Sequence, residues 1–263
     1  MVKAQPFKFR QFAGALLRAC VIIAVLVVVW QGFVVFTGIP HYMLPSPLQV
    51  AVAMSEHWRF LFAHAGTTAL EILLGLGYGI GFGMLTAIVM SLFPAIRRLA
   101  HPLLIVSQAL PVFAIAPILV IWFGYGLASK VVMASLIIYF PVASATYDGL
   151  ARTDPGLMDL AILWRTSRLR QLVFIRIPAA LPSVASGVRV AVTVAPIGAI
   201  VGEWVGSSAG LGFIMLHSVA RMQIDRMFAA LLILAVMALL LRAATDFLLT
   251  RLLPWIPDHH ATS

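Results

Sequence analysis

The sequence predicts an all-α, polytopic membrane protein with six transmembrane helices and both termini on the cytoplasmic side. Three observations carry this. The 263 residues are 62% hydrophobic and only 10% charged, whereas a soluble domain carries about 25% charged and about 45–50% apolar residues. No soluble core of this length hides so much apolar surface, but a lipid-facing exterior removes the difficulty. The apolar residues gather into runs close to the ~20 residues that cross a bilayer. The basic residues fall in the gaps between those runs, where cytoplasmic loops keep them.

The predicted spans are 17–36, 68–93, 103–123, 131–147, 184–205 and 227–250. The first is too long for a signal-peptide core and has no convincing cleavage site. With the N-terminus inside, Lys3, Lys8, Arg10, Arg18, Arg97, Arg98, Arg152, Arg165, Arg168, Arg170, Arg176, Arg189, Arg242 and Arg251 lie inside. Only Arg59, Lys130, Arg221 and Arg226 lie outside, and reversing the chain would invert this favourable bias. The expected organisation is a cytoplasmic tail over 1–16, a transmembrane domain over 17–250 with a cytoplasmic loop at 148–182, and a cytoplasmic tail over 251–263.

Between the first two spans, Ser46 followed by Pro47 fits a helix N-cap with proline at the first helical position. Val50, Met54 and Leu61 then form an apolar face expected to lie on the membrane surface. In the second span Gly75, Gly79 and Gly83 share one helix face as two overlapping GxxxG units, a seam for close helix contact. Pro102, Pro111 and Pro117 bend or break the third span. Ser107 and Gln108 near its middle offer hydrogen bonds to a polar solute or to a neighbouring helix.

The net charge of +9 does not indicate nucleic acid, because the cations are not clustered on a soluble face. Cys20 is the only cysteine, which excludes an internal disulfide or a thiolate metal cluster. Its preceding Leu-Leu-Arg-Ala matches a lipoprotein box only loosely, and the long apolar run follows it instead of preceding it. The histidines lack metal-ligand spacing, and no P-loop is present, so no cofactor is expected in this chain. Gly206-Ser207-Ser208-Ala209-Gly210 matches G-x-S-x-G, but it follows a transmembrane helix and not a strand, which argues against a nucleophile. Glu71 and Glu203, near the outer boundary, are candidate pathway or gate residues, with a helix-capping role equally open for Glu203. Arg242 and Asp246 read as a structural i, i+4 pair.

The loop 148–182 is the most informative stretch. Asp154 and Pro155 read as a helix start, placing residues 156–164 on a short helix with Leu157, Leu160, Ala161 and Trp164 along one face. A second helix is expected over 167–175, ending before Pro178. An exposed apolar face beside a membrane lies in lipid or docks in a partner's groove.

This loop resembles the cytoplasmic signature of ABC importer permeases: E-A-A, three residues, G, nine residues, then I-x-L-P. Aligned on Pro178, the signature places Ile175 and Ile177 on its isoleucine and leucine, Asp159, Leu160 and Ala161 on its triplet, and Arg165 where it has glycine. The Leu-Pro-Ser-Pro stretch at 44–47 is similar to the nitrate, sulfonate and taurine branch. The stretches 106–134 and 195–232 look closer to permeases for thiamine pyrimidine precursors such as hydroxymethylpyrimidine. The resemblance implies a MetI-like permease fold and an inner-membrane homodimer. Two cytoplasmic ATPase subunits would bind ATP and magnesium, and a periplasmic binding protein would deliver the solute. It implies ATPase coupling through Asp159, Leu160, Ala161, Trp164, Arg165 and Arg168. A stand-alone secondary transporter would have no use for such a loop, and a membrane-embedded hydrolase would rest on the Gly206–Gly210 pattern alone.

Overall fold

The computed structural model describes residues 9–109 and 111–254, and every regular element among them is helical. In chain order these are α1 (Phe9–Thr37), α2 (Pro47–Glu56), α3 (Trp58–Leu92), α4 (Pro94–Ala109), α5 (Ala116–Phe123), α6 (Leu127–Ala151), α7 (Pro155–Leu163), α8 (Arg168–Gln171), α9 (Ile177–Gly206), α10 (Leu211–Ala220) and α11 (Ile224–Leu252). Five helices among the described residues are long and apolar enough to cross a membrane: Cys20–Thr37, Trp58–Leu92, Leu127–Ala151, Arg168–Gly206 and Ile224–Leu252.

The predicted span 103–123 is not one helix. α4 and α5 are separated around Pro111, whose backbone is extended (ψ 104°), and a single 3-10 turn at Val112–Ile115 leads into α5. Pro111 and Pro117 have no N–H to continue an α-helical ladder, so the chain restarts as a tighter turn with Pro117 in the first turn of α5. Ser107 and Gln108 fall at the end of α4, but their side chains lie outside the described part of the structure.

α6 is the centre of the bundle, clasped between α3 and α9. A Cβ at Gly75 would stand 2.6 Å from the Cβ of Ala134, and one at Gly79 would stand 2.6 Å from Ile138 Cγ2. At Gly83 it would meet the Tyr139 carbonyl at 3.0 Å, while Gly77 and Gly81 face open space. The predicted glycine seam is therefore the α3–α6 contact. From the other side, Gly198 of α9 backs onto Ala134 as well, with its Cβ position 2.9 Å from that residue's Cα. Ile72, Leu76, Ile138, Val142, Ala191, Val192 and Ala195 fill the remaining space between the three helices.

At one end of the bundle, α2, α10 and α11 close over the start of α3. Ser46 caps α2 as predicted: its hydroxyl accepts from the Gln49 amide, and the Gln49 side chain accepts in return from the Ser46 amide. The expected surface role of Val50 and Leu61 is not what the structure shows. Both are buried in a cluster with Leu211, Ile214, Ala229 and Ala230, and Met54 packs on its edge. This face is covered by protein, because α10 and α11 supply an apolar partner that the local sequence does not reveal.

α1 stands apart. Its Cys20–Thr37 segment has no buried residue, and Trp30 contacts Phe228 of α11 with ring centroids 5.6 Å apart. α11 is fastened to α9 by Asp246, which accepts from Arg242 Nε at 2.8 Å and from Arg189 Nε at 2.9 Å. The i, i+4 pair read from the sequence is thus half of a three-residue bridge that also ties two helices together.

Candidate functional site

Two sites stand at opposite ends of α9. The first is the α7–α8 turn. Asp154 caps α7 by accepting from the amides of Gly156 and Leu157, as its position before Pro155 predicts. α7 ends at Leu163, after which the Arg165 amide donates to the Ile162 carbonyl at 2.9 Å and the Thr166 amide to the Ala161 carbonyl at 3.1 Å. This pair of reversed bonds is the Schellman arrangement, which requires its intervening residue in left-handed backbone. That residue is Arg165, at φ 50°. The position where the signature has glycine has kept a glycine's conformation with an arginine side chain.

Ser167 then caps α8 by accepting from the Arg170 amide. The expected helix end before Pro178 is not observed. The chain passes from α8 through one wide turn, Leu172–Arg176, in which the Ile177 amide reaches back to the Leu172 carbonyl, and runs on into α9. A proline ring clashes with the carbonyl four residues earlier in a regular α-helix; the widened turn just before Pro178 re-aims those carbonyls, so the helix continues. Arg176 anchors this turn, donating through Nε and Nη2 to the Leu150 carbonyl at the end of α6 (3.2 and 2.9 Å).

The predicted docking residues separate into two groups. Ala161 is buried, at 1% exposure, and serves the turn: its carbonyl also accepts the Thr166 hydroxyl at 2.8 Å. Asp159, Leu160, Trp164, Arg165 and Arg168 are all exposed. Ile162, Leu163, Leu169 and Phe174 are exposed beside them, with Leu163 at 77% and Trp164 at 76%. The result is a rigid, capped turn presenting large apolar side chains ringed by arginines.

The second site lies some 27 residues along α9 from Arg176, about 40 Å at 1.5 Å per residue. Glu203 and Glu71 are each 1% exposed. Glu71 lies one turn along α3 from Thr68, which touches Glu203, and the two carboxyls are within hydrogen-bonding reach of each other. Glu203 accepts the Thr68 hydroxyl on Oε1 at 2.6 Å. On Oε2 it accepts the amides of Gly212 and Phe213, the first turn of α10. A carboxylate there satisfies orphan amides and sits at the positive end of the helix dipole. Thr68 Oγ1 accepts in turn from the Leu211 amide at 2.8 Å, and His64 Nδ1 accepts from the Gly210 amide at 2.9 Å.

Gly210 explains the small-residue motif. At φ 111°, its missing Cβ would lie 2.2 Å from the Glu203 carboxyl, so the chain can fold over the acid only with glycine there. Ser207 Oγ donates to the Ala209 carbonyl and accepts the Ala209 amide within the same turn. The G-x-S-x-G pattern is a helix–helix turn wrapped around a buried acid. Thr68 and His64, which complete this site, carry no sequence signal, because they lie 135 or more residues from the groups they hold.

Between α3 and α6, beside the glycine seam, an open-sided cavity of about 740 Å³ is lined by Tyr78, Phe82, Phe123, Val131, Ser135 and Tyr139 among others. No group of three or more His, Cys, Asp or Glu placed to hold a metal ion occurs among the described residues.

Comparison with known proteins agrees with these features. The family described as "Binding-protein-dependent transport system inner membrane component" matches residues 79–256. A "Probable ABC transporter permease protein" of Haemophilus influenzae is 52% identical over 236 residues, covering 90% of this chain and 96% of that one. The "Formylaminopyrimidine transport permease protein ThiX" of Halalkalibacterium halodurans is 36% identical over 233 residues, covering 88% and 92%. The inward-facing MetNI methionine ABC transporter has a chain of the same fold (TM-score 0.63, 15% identity, 73% of this chain and 96% of that one). The chain therefore belongs to the binding-protein-dependent transport system inner membrane components, as a non-catalytic, multi-pass permease subunit of an ABC importer.

Proposed function

We propose that this permease carries a thiamine pyrimidine precursor across the inner membrane. A periplasmic binding protein delivers the solute, and the α7–α8 turn couples the permease to a separate ATPase that holds ATP and magnesium. In this reading two copies of the chain form the pathway, with the turn on the cytoplasmic side. The observation that carries the coupling is the exposed apolar surface of Leu160, Leu163 and Trp164 on a turn locked by the Asp154 cap and the Thr166–Ala161 bond. A rigid apolar knob is what a groove on a partner needs in order to transmit its closure. α9 is continuous with this turn, so a push on the turn is delivered along a stiff helix to the far end of the bundle.

The solute assignment is supported by the 36% identity to a formylaminopyrimidine permease along nearly the whole chain. The aromatic lining of the cavity beside Tyr78 and Tyr139 suits a planar ring.

Reconstitution of the chain with its ATPase and binding protein in liposomes tests both parts. ATP-dependent uptake of hydroxymethylpyrimidine or its formylamino relative is expected; uptake of taurine, an alkanesulfonate or nitrate in its place overturns the solute assignment. Leu160→Asp with Trp164→Ala is expected to leave the permease inserted and to abolish co-purification of the ATPase. Retained co-purification and retained stimulation of ATP hydrolysis would overturn the coupling assignment.

A further inference from the structure

We propose that Glu71 and Glu203 form a one-proton latch: Glu71 is held as the neutral acid and donates its proton to the Glu203 carboxylate, locking α3 to the α9–α10 turn. Donors and acceptors around Glu203 fix where the proton sits. An ionised carboxyl only accepts, and a neutral one has a single donor. Every other group on Glu203 is a donor: the Thr68 hydroxyl on Oε1, and the Gly212 and Phe213 amides on Oε2. Thr68 is itself an acceptor for the Leu211 amide. Its single hydrogen has two acceptors in reach, Glu203 Oε1 at 2.6 Å and the His64 carbonyl at 3.3 Å, and the shorter contact assigns it to Glu203. Glu203 thus occupies a place made for a carboxylate, with the first turn of α10 directed at it.

The contact between the two carboxyls then needs a hydrogen, and the remaining source is Glu71. Two further features agree. Glu71 Oε2 is buried and has no hydrogen-bond partner; leaving a neutral carbonyl oxygen unpaired in the interior is far less costly than leaving a charged one. The cation facing Glu71 from α6 is Lys130, and its ammonium is engaged by the carbonyls of Tyr125 and Gly126 (2.9 and 3.0 Å). No ion pair joins Lys130 to either acid; the ion pairs among the described residues are those of Asp246. The other titratable group here, His64 on α3, is turned to the Gly210 amide.

The latch makes Glu71 and Glu203 unequal, although they are equally buried and chemically alike. It holds one proton inside the bundle at the point where three helices meet, and it rests on this geometry whichever solute is carried. Removing the proton sets two carboxylates against each other and releases the turn that covers Glu203.

The isosteric amides separate the two residues. The full chain in lipid nanodiscs is compared with Glu71→Gln, Glu71→Ala and Glu203→Gln by thermal unfolding and by infrared spectroscopy of the carboxyl C=O region. Glutamine at 71 keeps a donor toward Glu203, so Glu71→Gln is expected to melt within about 2 °C of the wild type, and Glu71→Ala lower by about 4 °C or more. Glu203→Gln, which turns a donor-bearing amide toward the α10 amides, is expected to fall at least as far. Glu71→Gln must also lose a protonated-carboxyl band that the wild type shows. An unchanged band in Glu71→Gln, or a melting loss in Glu71→Gln equal to that of Glu203→Gln, overturns the proposal. If Glu203→Gln does not accumulate, the infrared band in Glu71→Gln still decides.

Discussion

The amide of Thr166 donates to the carbonyl of Ala161 at 3.1 Å, and this bond holds Arg165 in left-handed backbone at φ 50°. A non-glycine residue there carries about 1 kcal/mol of steric cost. Arg165→Gly is expected to stabilise the turn by about that amount. Hydrogen exchange at the Thr166 amide should slow about fivefold. Arg165→Val, with a branched Cβ, is expected to speed it.

A methyl group at Gly79 would stand 2.7 Å from Ile138 Cβ and 2.9 Å from the Ser135 carbonyl, neither of which is a flexible chain end. Gly79→Ala should therefore push α3 from α6 and destabilise the bundle by about 1–3 kcal/mol. Gly81→Ala meets nothing within 4 Å and should be neutral or stabilising by up to about 1 kcal/mol. Thermal unfolding of the two purified variants compares them directly.

Asp246 is the shared acceptor of Arg189 and Arg242. Asp246→Ala leaves two guanidiniums facing one another across α9 and α11. Their side chains are 30% and 38% exposed, so water screens much of the loss, and a cost of about 1 kcal/mol is expected. Adding Arg189→Gln to Asp246→Ala should recover part of it, which a double-mutant cycle measures.

Ala161 is buried at 1% exposure, so its replacement tests the fold of the turn more than its docking. Ala161→Leu is expected to cost about 1–3 kcal/mol through overpacking and to raise protease sensitivity in the 155–176 region. Leu163→Asp, at a position 77% exposed, should leave stability within about 0.5 kcal/mol of the wild type. The pair separates loss of the turn from loss of its surface.

Local signals in the sequence were legible where the physics is local. The caps at Ser46 and Asp154 each need one side chain and the amides two or three residues on. The Gly75, Gly79 and Gly83 seam follows from helical spacing alone. Pro178 misled because the local rule ends a helix before proline, whereas a single widened turn at Leu172–Arg176 absorbs the misfit. Val50 read as a lipid-facing residue because its cover, α10 and α11, lies more than 150 residues away.

The sequence by itself determined that this chain lives in a membrane, that it is helical, and that a short helix starts at Asp154 and Pro155 in the loop at 148–182; the left-handed turn at Arg165 came from the structure. Hydropathy, helix period and capping act within a few turns of chain. Only the tertiary structure decided that Glu203 sits beneath a turn closed by Gly210, that Glu71 meets it from α3, and that Arg189 completes the Arg242–Asp246 pair. A buried polar group must find its partner wherever packing brings one, and no spacing rule along the chain records which helix that will be.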